Sequence, residues 1–96
     1  MTIREFQALI RKTYYARDKK RGVEKNFLWL TEEVGELAEA VRKRDPEGMF
    51  EEMADVLAWL STIATLNGID LQDAALAKYG KGCPRCDALP CACKPH

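Results

Sequence analysis

Along residues 1–80, apolar side chains recur every three or four positions, the spacing of one face of an α-helix. Ile3, Phe6, Leu9 and Ile10 predict a first helix from Thr2 to about Tyr15. The charged stretch Arg17-Asp18-Lys19-Lys20-Arg21-Gly22 then reads as a helix end and turn. Phe27, Leu30, Val34, Leu37 and Val41 mark a second helix, starting at Val23 or Asn26 and running to Arg44. Asp45-Pro46 stops it and opens the next, with Asp45 as N-cap and Pro46 at the first helical position. Met49, Met53, Val56, Leu60 and Ile63 carry a third helix to about Leu66, where Asn67-Gly68 ends it. Asp70 caps a short fourth helix, Leu71 to Tyr79, and Gly80 and Gly82 lead into a tail. No stretch alternates with period two for long enough to be a strand. The expected class is all-α: a short bundle of about four helices with a small Cys-rich C-terminal tail. Phe50, Leu57 and Ala64 widen the third helix's apolar face beyond what one partner covers, so a homodimer at least is expected to complete the bundle.

Five acids interrupt this pattern in an ordered way. Glu32, Glu33 and Glu36 form E-E-x-x-E on the second helix, and Glu52 and Asp55 form E-x-x-D on the third. Residues three apart share a helix face, so each helix aims a pair of oxygen donors one way. On a wheel of about 100° per residue, Glu33 falls between Leu37 and Ala40, inside the apolar arc, with Glu36 at its border beside Trp29. Glu52 falls between Trp59 and Ile63, and Asp55 sits at the edge next to Leu66. Ionised carboxylates placed there lose several kcal/mol of hydration and repel one another. Basic side chains are not interleaved with them; the second helix collects its cations at residues 42–44. A divalent ion is the remaining compensation, and an all-oxygen donor set suits Mg²⁺ or Mn²⁺ rather than Zn²⁺. A di-iron bundle site would want Glu-x-x-His, whereas the single His is His96. Glu39, Glu47 and Glu51 read as solvated helix surface.

Composition narrows the rest. With 96 residues the chain is sized for one domain, and 47% hydrophobic residues place it among globular proteins. No apolar run is long enough to span a bilayer and no signal-peptide pattern opens the chain, so a cytoplasmic protein with no membrane partner is expected. Net charge is zero but uneven: residues 1–25 carry eight Lys/Arg against three acids, and residues 26–56 nine acids against three bases. That asymmetry suits an anionic ligand held through cations. Zero net charge disfavours nucleic acid as the partner.

The motif as it stands, EEVGE at 32–36 and EMAD at 52–55 with fifteen residues between Glu36 and Glu52, resembles that of the MazG-like all-α nucleotide pyrophosphohydrolases. The surrounding FLWLTEEVGELAEAVRK, EEMADVLAWL and GIDL are similar to that family too, over about residues 14–79. The resemblance implies a domain over residues 1–80 that cleaves the α–β phosphoanhydride of (d)NTPs to a nucleoside monophosphate and pyrophosphate, in nucleotide-pool house-cleaning. It implies Glu33, Glu36, Glu52 and Asp55 as Mg²⁺ ligands. Glu32 is then a second-metal ligand or the base that activates water, which makes Glu32 and Glu36 the catalytic pair. Such chemistry needs metals to neutralise phosphate oxygens and a carboxylate to take a proton. There is no Ser-His, Cys-His or P-loop arrangement to compete.

Other residues have two readings. Lys19, Lys20 and Arg21 can neutralise phosphates or decorate a turn, and Lys78 is a further phosphate candidate. Trp29, like Trp59, flanks the acids and can stack on a base or pack in the core. Gly35, mid-helix at a cost of about 1 kcal/mol, suggests close helix approach. Residues 81–96 form the tail. Its Cys83, Cys86, Cys91 and Cys93 offer four thiolates to a possible structural Zn²⁺, in a knuckle tighter than a zinc ribbon; disulfides, a reactive dithiol or a partner contact are the alternatives. The competing function is a non-catalytic helical interaction or regulatory module with a zinc-binding tail.

Overall fold

The computed structural model describes residues 1–95; His96 lies outside the described residues. The chain forms four helices, α1 (Ile3–Arg21), α2 (Val23–Arg42), α3 (Pro46–Leu66) and α4 (Leu71–Tyr79), with no strand among the described residues.

Local chemistry sets most helix ends. Thr2 and Glu5 form a reciprocal capping box, with the Glu5 N–H donating to Thr2 Oγ1 at 3.0 Å and the Thr2 N–H to Glu5 Oε1 at 2.8 Å. Asp45 caps α3 by accepting the Gly48 N–H at 3.1 Å, and Asp70 caps α4 by accepting the Asp73 N–H at 2.9 Å. Both caps and both helices fall where the sequence places them. α3 ends in a Schellman turn: Gly68 has φ 68°, and the Ile69 N–H reaches the Ala64 carbonyl at 2.8 Å.

Two boundaries differ from expectation. α1 continues through the charged stretch to Arg21 and stops only at Gly22, whose φ of 89° favours glycine. Nothing before Gly22 breaks a helix, and Lys19, Lys20 and Arg21 suit the negative end of its dipole. These three cations therefore lie on a helical turn and not in a loop. α2 stops at Arg42, two residues early. Arg44 takes the left-handed conformation (φ 53°) in a second Schellman turn, where the Asp45 N–H donates to the Ala40 carbonyl at 3.0 Å. The chain must be extended at Asp45 to start α3, so the reversal is made at Arg44.

α2 and α3 pack as a helical hairpin, α1 lies mainly on α3, and α4 packs on α1. Arg4 pairs with Asp70 at 2.9 Å and Asp73 at 2.6 Å, while Gln7 bonds Thr65, the Ile69 carbonyl and the Leu71 N–H. These bonds fix α4 across the start of α1. The apolar core of the single chain is small: Ala40 and Ala64 are its only buried hydrophobic residues among those described. Leu30 and Leu37 of the α2 stripe are half-buried, but Phe27, Val34 and Val41 stay about half exposed. Phe50, Met53, Leu57 and Leu60 of α3 are exposed too. The radius of gyration is 15.7 Å, against about 12.5 Å for a compact domain of this length. Gly35 meets no atom within 4 Å of a would-be Cβ, so close approach of another helix of the same chain is not its reason.

Candidate active site

The α2–α3 hairpin brings the two acidic motifs face to face. Glu33, Glu36 and Glu52 each offer a carboxylate oxygen, and these lie within 4.8 Å of one another. Glu33 and Glu52 are half-buried, while Glu36 and Asp55 are exposed at the rim. Each helix thus contributes one inward and one outward carboxylate. Asp55 is not part of the close trio. It adds like charge to Glu33 and Glu52, but lies one turn farther along α3 and lines a neighbouring cleft. Glu32 is exposed on α2 and adds like charge to Glu36.

The electrostatics of the trio are unfavourable as it stands. Burial raises the Glu33 pKa above the ordinary carboxylate value, and the charges of Glu36 and Asp55 add to this, against an opposing contact with Glu52. Glu36 is raised first by its carboxyl contact with Glu52 and then by that group's charge. Glu52 is raised by burial and then by contact with Glu33. One oxygen each of Glu33 and Glu52 is buried with no hydrogen-bond partner among the described residues. The ion pairs among the described residues join Arg4 to Asp70 and Asp73, Arg21 to Asp18, and Arg42 and Lys43 to Glu39; none reaches the trio or Asp55. Two orphaned anionic oxygens in a donor set made only of carboxylates fit a hard divalent cation. Oxygens around Mg²⁺ sit roughly 3–4 Å apart, so small side-chain rotations close the set.

Beside Asp55, α1 and α3 enclose an open cleft lined by Tyr14, Arg17, Asp18, Arg21, Trp59 and Thr62, among others. Its α1 wall follows i, i+4, i+7, i+8, i+11 from Ile10, one helical face. Trp59 stacks on Trp29 with ring centroids 6.2 Å apart and planes 16° from parallel. The Arg21 guanidinium lies over the Trp59 ring, 5.2 Å from its centroid. Trp29 is 45% exposed, so it packs on Trp59 rather than filling a core.

The cleft is held by buried polar groups that sequence reasoning did not single out. The Asn26 amide, fully buried, donates to the Asp18 and Gly22 carbonyls, both at 2.8 Å, and its oxygen accepts from Arg21 Nη1 at 2.8 Å. Asp18 accepts from Thr62 Oγ1 at 2.9 Å and from Arg21 Nη1 at 3.3 Å. This clamp ties the α1–α2 turn to α3 and aims Arg21 along the cleft. Its signal was faint: an Asn four residues after Gly22, placed to bond that carbonyl. Tyr14 and Arg17 were missed because α1 was expected to end near Tyr15. Of the other cations expected at the site, Lys19 lies over the Tyr15 ring at 5.9 Å and Lys20 is exposed, and neither lines the cleft. Lys78, on α4, lies 5.6 Å from the Tyr79 ring, and α4 packs on α1 rather than on the acidic hairpin.

Among curated proteins, none matches the chain. The family model for the MazG nucleotide pyrophosphohydrolase domain matches residues 21–87, well over half of its length. That span begins at the clamp's Arg21 and takes in the whole acidic hairpin, and the chain belongs to the MazG nucleotide pyrophosphohydrolase family.

Proposed function

We propose that the chain is a Mg²⁺-dependent nucleoside triphosphate pyrophosphohydrolase that cleaves the α–β phosphoanhydride of (d)NTPs, giving a nucleoside monophosphate and pyrophosphate. Nucleotide-pool house-cleaning is its role in this reading. The observation that carries it is the crowding of Glu33, Glu36 and Glu52 within 4.8 Å, with two buried oxygens left without partners and no cation paired to them.

Glu33, Glu36 and Glu52 would hold Mg²⁺, with Asp55 reaching the same ligand group from the rim. Bound there, the ion supplies phosphate charge neutralisation and lowers the pKa of coordinated water. Glu32, exposed and one residue before the inner ligand, takes the proton from the attacking water. Arg17 and Arg21 line the cleft beside Asp55 and offer guanidinium donors to the phosphate chain. Trp59, with Trp29 behind it, supplies an apolar wall against which a base can stack. Lys19, Lys20 and Lys78 have the weaker geometric claim on substrate. The exposed apolar face of Phe27, Val34 and Val41 on α2 and Phe50, Met53 and Leu57 on α3 supports a homodimer or homotetramer, which would bury it. A nucleotide substrate and four unpaired thiols fit a cytoplasmic setting.

The test is a panel of NTPs and dNTPs with Mg²⁺, the products resolved by ion-exchange chromatography. The wild-type chain is expected to yield a monophosphate and pyrophosphate. Glu36→Gln should keep its helical circular dichroism and lose turnover by at least about 100-fold. Failure to turn over any nucleotide would favour a non-catalytic helical module, and unchanged activity would remove Glu36 from the site.

A further inference from the structure

The acidic hairpin leaves the four cysteines unused, and they too converge. We propose that Cys83, Cys86, Cys91 and Cys93 bind one structural Zn²⁺ as a tetrathiolate that closes the C-terminal tail into a knuckle.

The distances fit. One Sγ from each of the four residues lies within 4.8 Å of the other three, and Cys83 Sγ and Cys93 Sγ are 3.7 Å apart. A tetrahedral ion with Zn–S bonds of about 2.3 Å sets its sulfurs about 3.8 Å from one another. A disulfide would need about 2.05 Å, and all four cysteines are unpaired. The close spacing in sequence, C-x-x-C followed after four residues by C-x-C, is accommodated by how the backbone turns. The Asp87 N–H donates to the Cys83 carbonyl at 2.7 Å and the Cys83 N–H to the Ala88 carbonyl at 3.0 Å, so the first pair sits on a closed loop. Asp87 takes φ 55° immediately after Cys86. Gly82 takes φ 106° immediately before Cys83, where a Cβ would meet the Ala88 carbonyl oxygen at 2.7 Å.

Two of the four sulfurs already accept backbone hydrogen bonds. The Ala92 N–H points at Cys86 Sγ and the Cys93 N–H at Cys91 Sγ, both at 3.3 Å. Backbone donors aimed at sulfur stabilise negative charge there. Loading Zn²⁺ releases four thiol protons to solvent and leaves a site of net charge −2. Arg85 and Lys94 line the same recess as Cys83, Cys91 and Cys93 and offset that charge. The tail also lacks an apolar core to hold it, since Leu89 is 87% exposed. A metal supplies the missing cross-link, as in other segments too short to bury a core. Soft sulfur donors here and hard oxygen donors on α2–α3 sort two different ions onto one chain.

The full chain, purified under reductant without chelator, is expected to carry one Zn²⁺ per chain by plasma mass spectrometry, with Kd tighter than about 100 nM. Replacement by Co²⁺ should give the thiolate-to-metal charge-transfer and intense visible bands of tetrahedral sulfur ligation. Cys86→Ser and Cys91→Ser should each weaken Zn²⁺ binding by at least about 100-fold, whereas Glu36→Gln should leave it unchanged. That last arm separates this site from the catalytic reading. Four freely titrating thiols with no Zn²⁺ uptake would overturn the proposal. So would iron in place of zinc, isolated disulfides, or zinc retained in both Ser variants.

Discussion

Replacing Asn26 by Ala tests whether the buried clamp, rather than the sparse apolar core, holds α1 against the acidic hairpin. Asn26 is fully buried and makes three side-chain hydrogen bonds, each 2.8 Å long. The two to backbone carbonyls contribute about 1 kcal/mol each, and the one from the Arg21 guanidinium about 1.5 kcal/mol or somewhat more. The Asp18 and Gly22 carbonyls keep their backbone donors, Gly22 N–H at 3.0 Å and Asn26 N–H at 3.1 Å, so neither is orphaned. Alanine's better helix propensity returns about half a kcal/mol. The net loss should be about 3 kcal/mol, a large part of the roughly 5–15 kcal/mol that holds a domain together. For a chain of this size that lowers Tm by about 12 °C or more. Urea unfolding followed by circular dichroism, at fixed protomer concentration, measures it. Lys25→Ala, exposed on the same turn, should stay within about 0.5 kcal/mol of wild type. A loss below about 1 kcal/mol for Asn26→Ala would refute the reasoning, because the hairpin would then hold α1 without the clamp.

Two further outcomes follow from charge and exposed surface. Glu5, Glu39 and Asp70 have lowered pKa values, through Thr2, Lys43 and Arg4 respectively, so their stabilisation is lost as pH falls below their ordinary values of 4.5, 4.5 and 3.8. Glu33, Glu36 and Glu52 are raised, so the folded metal-free chain binds their protons more tightly and loses stability as pH rises from 4.5 through their folded values. Tm in chelator should therefore pass through a maximum and decline, and Mg²⁺ should remove the decline; a metal-free Tm that keeps climbing over that upper interval would contradict this. Sedimentation equilibrium of the wild type should give a dimer or tetramer, and Val34→Glu with Leu57→Glu should dissociate it, whereas a monomeric wild type would leave the apolar face unexplained.

How much was legible depended on the range of the interaction. The Asp45-Pro46 and Asp70 starts were readable because a cap and its N–H lie three residues apart. The inward aim of Glu33 and Glu52 was readable because the helical period fixes faces. The extent of α1 is not legible in its charged stretch, because charge alone does not end a helix and Gly22 is the first residue whose backbone departs from one. Thr62 and Asp18 lie 44 positions apart, so their bond could not be found by spacing. Asp55 lies one turn beyond Glu52 on the same helix face, yet its lining of the α1–α3 cleft depends on where α1 packs. The α2 stripe was visible, but its period does not say whether the same chain covers it, and Phe27, Val34 and Val41 are left open.

The most direct test of the carboxylate trio is Mn²⁺ binding followed by electron paramagnetic resonance, comparing wild type with Glu52→Gln at neutral pH. A trio assembled for a divalent ion predicts saturable binding by the wild-type chain through oxygen ligands, weakened at least about tenfold in the variant with helicity unchanged. Equal binding by both proteins, or none by the wild type, would mean that these acids crowd together for some other reason.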